Sequence, residues 1–143
     1  MYKLKKGYLL GSNFQTIINS LKDETDIVWY EPLKMVNHDK VDTIFWANIN
    51  QLLKCDYVLV DETTTNDFDL GVVWTINYIR KLLLRSGYQD AVAQLDKFDL
   101  IDKNIIGLIK TTNRPLQQVI IKDQGKLFKN PKAIVTYIKN KEK

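Results

Sequence analysis

One cysteine and one histidine are all that this chain of 143 residues offers for thiol or imidazole chemistry. Cys55 has no partner within the chain, so an internal disulfide is excluded, and the stock of soft metal ligands is nearly empty. No apolar run approaches the eighteen or more residues that a membrane-spanning helix requires. The stretch from Met1 to Gly7 carries lysines but leads to no apolar core with a small-residue cleavage site, so no signal peptide is expected. No repeat or low-complexity tract is present. These absences predict a cytoplasmic protein with no metal, no cofactor and no membrane partner.

The remaining composition is that of an ordinary globular chain. Hydrophobic residues make up 45% and charged residues 27%, which is enough apolar material for a real core. The length predicts one domain over 1–143. The net charge is only +4, yet residues 101 to 143 hold ten Lys/Arg against three Asp/Glu. A basic end of this kind is either a solvated surface or an attractor of phosphates. It forms no aromatic-interleaved basic patch and no recognisable nucleic-acid module, so a nucleic-acid partner is not expected.

Along the chain, short apolar runs alternate with helical periodicities. Gly7 to Gly11 predicts a first strand, and Ser12 or Asn13 a cap for a helix reaching about Asp23 with Phe14, Ile17, Ile18 and Leu21 on one stripe. Asp26 to Tyr30 predicts a second strand, stopped by Pro32. A loop over 33–41 leads to a helix from about Asp42 to Lys54, striped by Phe45, Ile49, Leu52 and Leu53, with Asn48 on its inward side. Tyr57 to Val60 predicts the third strand, and a helix from about Leu70 to Leu84 is apolar on nearly every side, which predicts enclosure. A short helix falls within 88–103. Asn104 to Lys110 and Gln118 to Lys122 predict strands four and five, with a turn at Asp123 to Gly125. Asn130 as cap and Pro131 at the first position open a final helix. The alternation predicts an α/β, flavodoxin-like doubly wound parallel sheet of about five strands.

The most specific stretch follows the third strand. From Asp61 to Asp69 the chain has four carboxylates (Asp61, Glu62, Asp67, Asp69), three threonines and an asparagine, and no cation. Loops at the carboxyl ends of parallel strands are where open α/β sheets place their ligands. Asp69 falls where a helix cap belongs, near the positive end of the helix dipole. Gly71 in the first turn permits a close approach to backbone. Thr75 shares a face with Val72, Ile79 and Leu82, its hydroxyl directed either at its own helix backbone or into a pocket.

The pattern Asp69-x-Gly71-x-x-x-Thr75-x-Asn77-Tyr78 resembles the Asp-x-Gly-x-x-x-Glu-x-Gly-Tyr motif that opens a helix in nucleoside 2-deoxyribosyltransferases. Similar to the same family are Tyr8-Leu-Leu-Gly11-Ser-Asn-Phe14, His38-Asp-Lys-Val41, Asn48-x-Asn50 and Asp56-Tyr-Val-Leu. The likeness covers residues 1 to about 80. It implies a site at the carboxyl ends of strands one and three, formed by Tyr8, Gly11, Asn48, Asp69, Gly71 and Thr75, a nucleoside, nucleotide or related ribosyl ligand, and a homo-oligomer. Two positions depart from the family. Its nucleophilic glutamate falls on Thr75, and an aspartate of its proton transfer falls on Asn48.

Cleaving an N-glycosidic bond develops cationic character at the sugar, for which a carboxylate nucleophile is the natural tool. A threonine without an adjacent base is a poor substitute, and His38 is a lone histidine expected at the surface. The sequence therefore predicts a ligand-binding domain of this fold that lacks the family's transfer chemistry. The alternatives are an enzyme using Asp61, Glu62, Asp67 or Asp69 as the missing carboxylate, and an interaction protein whose pocket is filled by Phe68, Trp74 or Tyr78.

Overall fold

The computed structural model describes residues 4–33, 41–64, 67–109 and 115–143. The elements run β1 (Lys6–Leu10), α1 (Gln15–Leu21), β2 (Val28–Tyr30), α2 (Val41–Leu53), β3 (Tyr57–Asp61), α3 (Asp67–Arg85), α4 (Gln89–Lys97), β4 (Asn104–Leu108), α5 (Pro115–Gln124), β5 (Gly125–Phe128) and α6 (Pro131–Lys141). The five strands form one sheet in the order β2-β1-β3-β4-β5, and every adjacent pair is parallel. This is the flavodoxin-like doubly wound arrangement that the sequence predicts.

Strand β3 lies at the centre because both of its faces can be covered. All five of its residues are buried, as a parallel strand between two helical layers requires. Alternation along the strands divides the core into two clusters. Tyr8, Leu10, Val58, Val60 and Ile105 pack with Ile49, Leu52, Leu70, Val73 and Ile121 of α2, α3 and α5. Leu9, Tyr57, Leu59, Ile106 and Leu108 pack with Ile17, Leu21, Ile134 and Ile138 of α1 and α6. No helix among the described residues is long and apolar enough to cross a membrane.

A buried polar anchor holds the amino ends of the central strands. Lys103 is 3% exposed, and its Nζ donates to the carbonyls of Leu53 at 2.6 Å and Cys55 at 3.1 Å, which caps the end of α2. The Asn77 amide and the Lys103 backbone exchange two hydrogen bonds, each 2.9 Å long. Burial lowers the Lys103 ammonium from 10.5 to about 8 and pushes the Cys55 thiol up to about 12.

The structure departs from the sequence reading in four places. The fifth strand is Gly125–Phe128, and Val119, Ile120 and Ile121 lie in α5. Gly125 sits so close to β4 that a Cβ would strike the Ile105 backbone, so the supposed turn glycine is what allows this edge strand to pair. Helix α1 ends at Leu21 and has Phe14 at its N-cap, with no side-chain cap from Ser12 or Asn13. Helix α3 begins at Asp67, so Asp69 lies inside its first turn and is not its cap. Finally, α3 is not enclosed: Phe68, Tyr78, Ile79, Leu82 and Leu84 are all exposed. The expected cap at Asn130 is present, its side chain accepting from the Lys132 amide at 2.8 Å with Pro131 opening the helix.

Candidate functional site

Strand order reverses between β1 and β3, so the chain leaves β1 toward α1 on one face of the sheet and leaves β3 toward α3 on the other. The crevice between those two exits is where ligands sit in folds of this kind. Asp61, the last residue of β3, joins the two exits. It is 1% exposed. Its carboxylate accepts from the Asn13 amide at 2.8 Å, from the Thr63 amide at 2.7 Å, and from the Thr63 hydroxyl. Thr63 Oγ1 in turn accepts from the Ser12 amide at 2.9 Å and the Ser12 hydroxyl at 3.1 Å. Gly11, at φ 137°, backs directly onto this arrangement, and a Cβ there would run into the Asp61 carboxylate. Three amides of the strand-end loops are thus satisfied by the chain's own oxygens. Loops that hold a phosphate leave such groups open to it.

Beneath the loops, Tyr8 of β1 donates its hydroxyl to Asp69 Oδ2 at 2.9 Å, and both side chains are buried. The Tyr8 ring stacks on Tyr30 with centroids 5.5 Å apart. Tyr30 donates to Asn48 Oδ1 at 3.0 Å, and the Asn48 amide also exchanges hydrogen bonds with both backbone groups of Leu33, each at 3.0 Å. The result is a continuous run of contacts, hydrogen bonds at either end and a ring stack between Tyr8 and Tyr30, from the first turn of α3, across β1 and β2, to α2. Burial raises the Tyr8 hydroxyl far above its ordinary pKa, and the Asp69 charge raises it further. Burial likewise raises Tyr30, with a smaller contribution from Cys55. Both phenols therefore stay protonated as donors, and Asp69 near the helix amino end serves as the acceptor.

The structure brings together Tyr8, Asp69 and, through Tyr30, Asn48, with Gly11 at the adjoining loop. It does not bring Gly71 or Thr75 to them. At 100° per residue, Asp69, Leu70, Val73 and Asn77 form the buried face of α3, and Thr75 falls well outside that face. Its hydroxyl bonds to its own helix, at Gly71 O, 2.8 Å away. Thr75 and Gly71 border an apolar cleft on the outer surface with Leu53, Phe68, Val72 and Leu100. The expectation that Thr75 shares a face with Val72, Ile79 and Leu82 holds, but that face turns outward: Ile79 and Leu82 are exposed, and Val72 is half-buried against the core at its edge. Among the other carboxylates, Asp67 borders the same outer cleft and accepts from Gln117 at 3.2 Å. Glu62 lies half-buried in the loop after β3. His38 lies outside the described residues.

Sequence reasoning missed Tyr30 and Thr63. A tyrosine ending the strand beside Tyr8, and a threonine two residues past the Asp61 carboxylate, were the available signals. The interaction reading placed Phe68, Trp74 and Tyr78 inside a pocket. The structure places Phe68 and Tyr78 at the surface, and Trp74 stacks on Tyr78 at 5.1 Å while donating to Asp123 at 2.7 Å.

No protein-family model matches the chain, and no curated protein matches it. Among solved structures the chain is similar to one described as a conserved protein from Enterococcus faecalis V583. The two are 11% identical, the match covers 97% of this chain and 99% of that one, and the TM-score is 0.60. At that identity the likeness shows the fold alone.

Proposed function

We propose that this protein binds a nucleoside or a related ribosyl compound in the crevice between the β1 and β3 exits, and does not transfer the sugar. The observation that carries this reading is the Tyr8–Asp69 pair at that crevice: a carboxylate acceptor, held by a phenol, beside a loop without cations. Such a site suits the hydroxyl donors of a sugar. It disfavours a phosphate, because Asp61 already occupies the Asn13 and Thr63 amides and like charge surrounds the crevice. The unphosphorylated member of the expected ligand class is therefore the better fit.

The same geometry supports a site without transfer chemistry. Nothing nucleophilic stands at Thr75, whose hydroxyl is bonded to its helix on the outward side. Asp69 is already engaged by the Tyr8 hydroxyl.

The test is a melting-temperature panel of ribonucleosides, 2-deoxynucleosides, the matching monophosphates and free bases. Ligand binding to the folded state stabilises it by mass action. Nucleosides are expected to raise the midpoint more than their monophosphates, and Asp69→Asn is expected to abolish the rise. A flat panel at millimolar nucleoside overturns the binding reading. Base exchange on deoxynucleosides, followed by chromatography, overturns the non-transferring half.

A further inference from the structure

The side of α3 turned toward α5 carries residues that neither the core nor the crevice uses. Trp74, Tyr78, Lys81 and Arg85 recur at spacings of four, three and four, which at 100° per residue keeps all four within about 60° of one another. The stripe therefore runs from two aromatic rings to two cations. Trp74 stacks on Tyr78 at 5.1 Å, and its Nε1 donates to Asp123 of α5 at 2.7 Å, which fixes the ring pair against the neighbouring helix. Beyond the rings, Tyr78, Lys81, Leu84, Arg85, Asp123 and Gln124 line a groove of about 480 Å³, a volume in the range of small-molecule sites. It lies where α3 and α5 end and β5 begins, at the amino ends of the strands and so at the opposite end of the sheet from the crevice.

Three groups in this groove are left open. Neither Lys81 nor Arg85 is ion-paired with a described residue. The end of α3 does not use their charge either, because the carbonyls of Leu82, Leu83 and Leu84 accept from the amides of Ser86, Tyr88 and Gly87. The Gln124 side-chain oxygen is buried and has no hydrogen-bond partner, and protein interiors seldom leave an acceptor in that state. We propose that the groove binds an aromatic monocarboxylate with a hydroxyl or amine on its ring. The carboxylate lies between Lys81 and Arg85, the ring lies against Tyr78 and Leu84, and the ring donor meets the Gln124 oxygen. Charge selects the class: two cations against the Asp123 carboxylate leave one net positive charge, which a carboxylate neutralises and a phosphate dianion exceeds. The planar fork of arginine suits a carboxylate, and an aromatic guest gains from a ring already held in place. This inference is independent of what the crevice binds.

Titration of the full chain with para-hydroxybenzoate, followed in proton–nitrogen correlation spectra, is expected to shift the Trp74 indole N–H and the Gln124 side-chain amide along one saturating curve. The uncharged para-hydroxybenzyl alcohol is expected to bind about tenfold more weakly than the acid. Arg85→Gln and Tyr78→Ala change exposed positions, and each is expected to weaken the acid about tenfold with an unchanged circular dichroism spectrum. Gln124→Leu is expected to bring para-hydroxybenzoate down to the affinity of benzoate and to leave benzoate itself unaffected. Failure to saturate at millimolar acid, or a curve that Arg85→Gln leaves unaltered, overturns the site. Equal binding of the alcohol, or tighter binding of phenyl phosphate than of benzoate, overturns the carboxylate class. A Gln124→Leu variant that weakens both acids equally overturns the hydrogen bond to the ring donor.

Discussion

The two faces of α3 solve the same problem in opposite ways. The inner face carries Asp69 and Asn77 among Leu70 and Val73, and both polar groups have partners in the core: Tyr8 for one, Lys103 for the other. The outer face carries no charge along its stripe, and its large apolar side chains stand in solvent. In a helix, then, polar residues can mark the buried side and apolar residues the open one, provided each polar group finds a partner inside. The inner face secures the fold, and the outer face leaves its apolar side chains in solvent.

That contrast is sharpened first at the crevice. Asp61→Ala removes the charged acceptor that the partly buried Asn13 and Thr63 amides share and is expected to cost about 3 kcal/mol, read from the urea midpoint. A cost within the surface range of about 0.5 kcal/mol would show that the two loops are not held by this carboxylate. Tyr8→Phe removes one hydrogen bond to a charged acceptor and is expected to cost about 2 kcal/mol, together with the nucleoside-induced rise in melting temperature.

An effect confined to alkaline pH belongs to Lys103. Its folded value of about 8 lies below the ordinary 10.5. Between those values the unfolded chain binds the extra proton, so the lysine's contribution to stability rises with pH across that window and is lost as pH falls through 8. Lys103→Met is expected to abolish this rise, measured as the wild-type minus variant difference in urea midpoint from about pH 7.5 to about pH 10. A difference that stays flat with pH would place the ammonium in water. Smallest of all is Thr75→Glu. It is expected to shift the fold's stability by less than about 0.5 kcal/mol and to generate no base exchange, alone or with Asn48→Asp. Exchange activity in the double variant would put Thr75 at the crevice after all.

Much of the fold was legible because burial and period agree. The run Tyr57 to Val60 is apolar throughout, as a strand covered on both faces must be, and the helical spacing of Ile49 and Leu52 sets Asn48 inward. The fifth strand was not legible. Val119, Ile120 and Ile121 are β-branched and suggest a strand, yet Gln117 and Ile121 are both buried one helical turn apart, and packing against the sheet overrides the propensity. The true strand is four residues long and opens with a glycine that resembles a turn. Asp69, picked out through its place in the motif, meets Tyr8 in the core, whereas Thr75 faces outward, because apolar neighbours do not say which side of a helix is covered. Val72, Ile79 and Leu82 look like a core face until the position of the sheet is known.

Asp61 has one further consequence. A single carboxylate grips the chain on both sides of the crevice, so the two loops have no independent freedom: whatever draws one aside slackens the other. On the proposed binding, a guest settling beside Tyr8 would be sensed at the start of α1, across the sheet from the helix that would receive it.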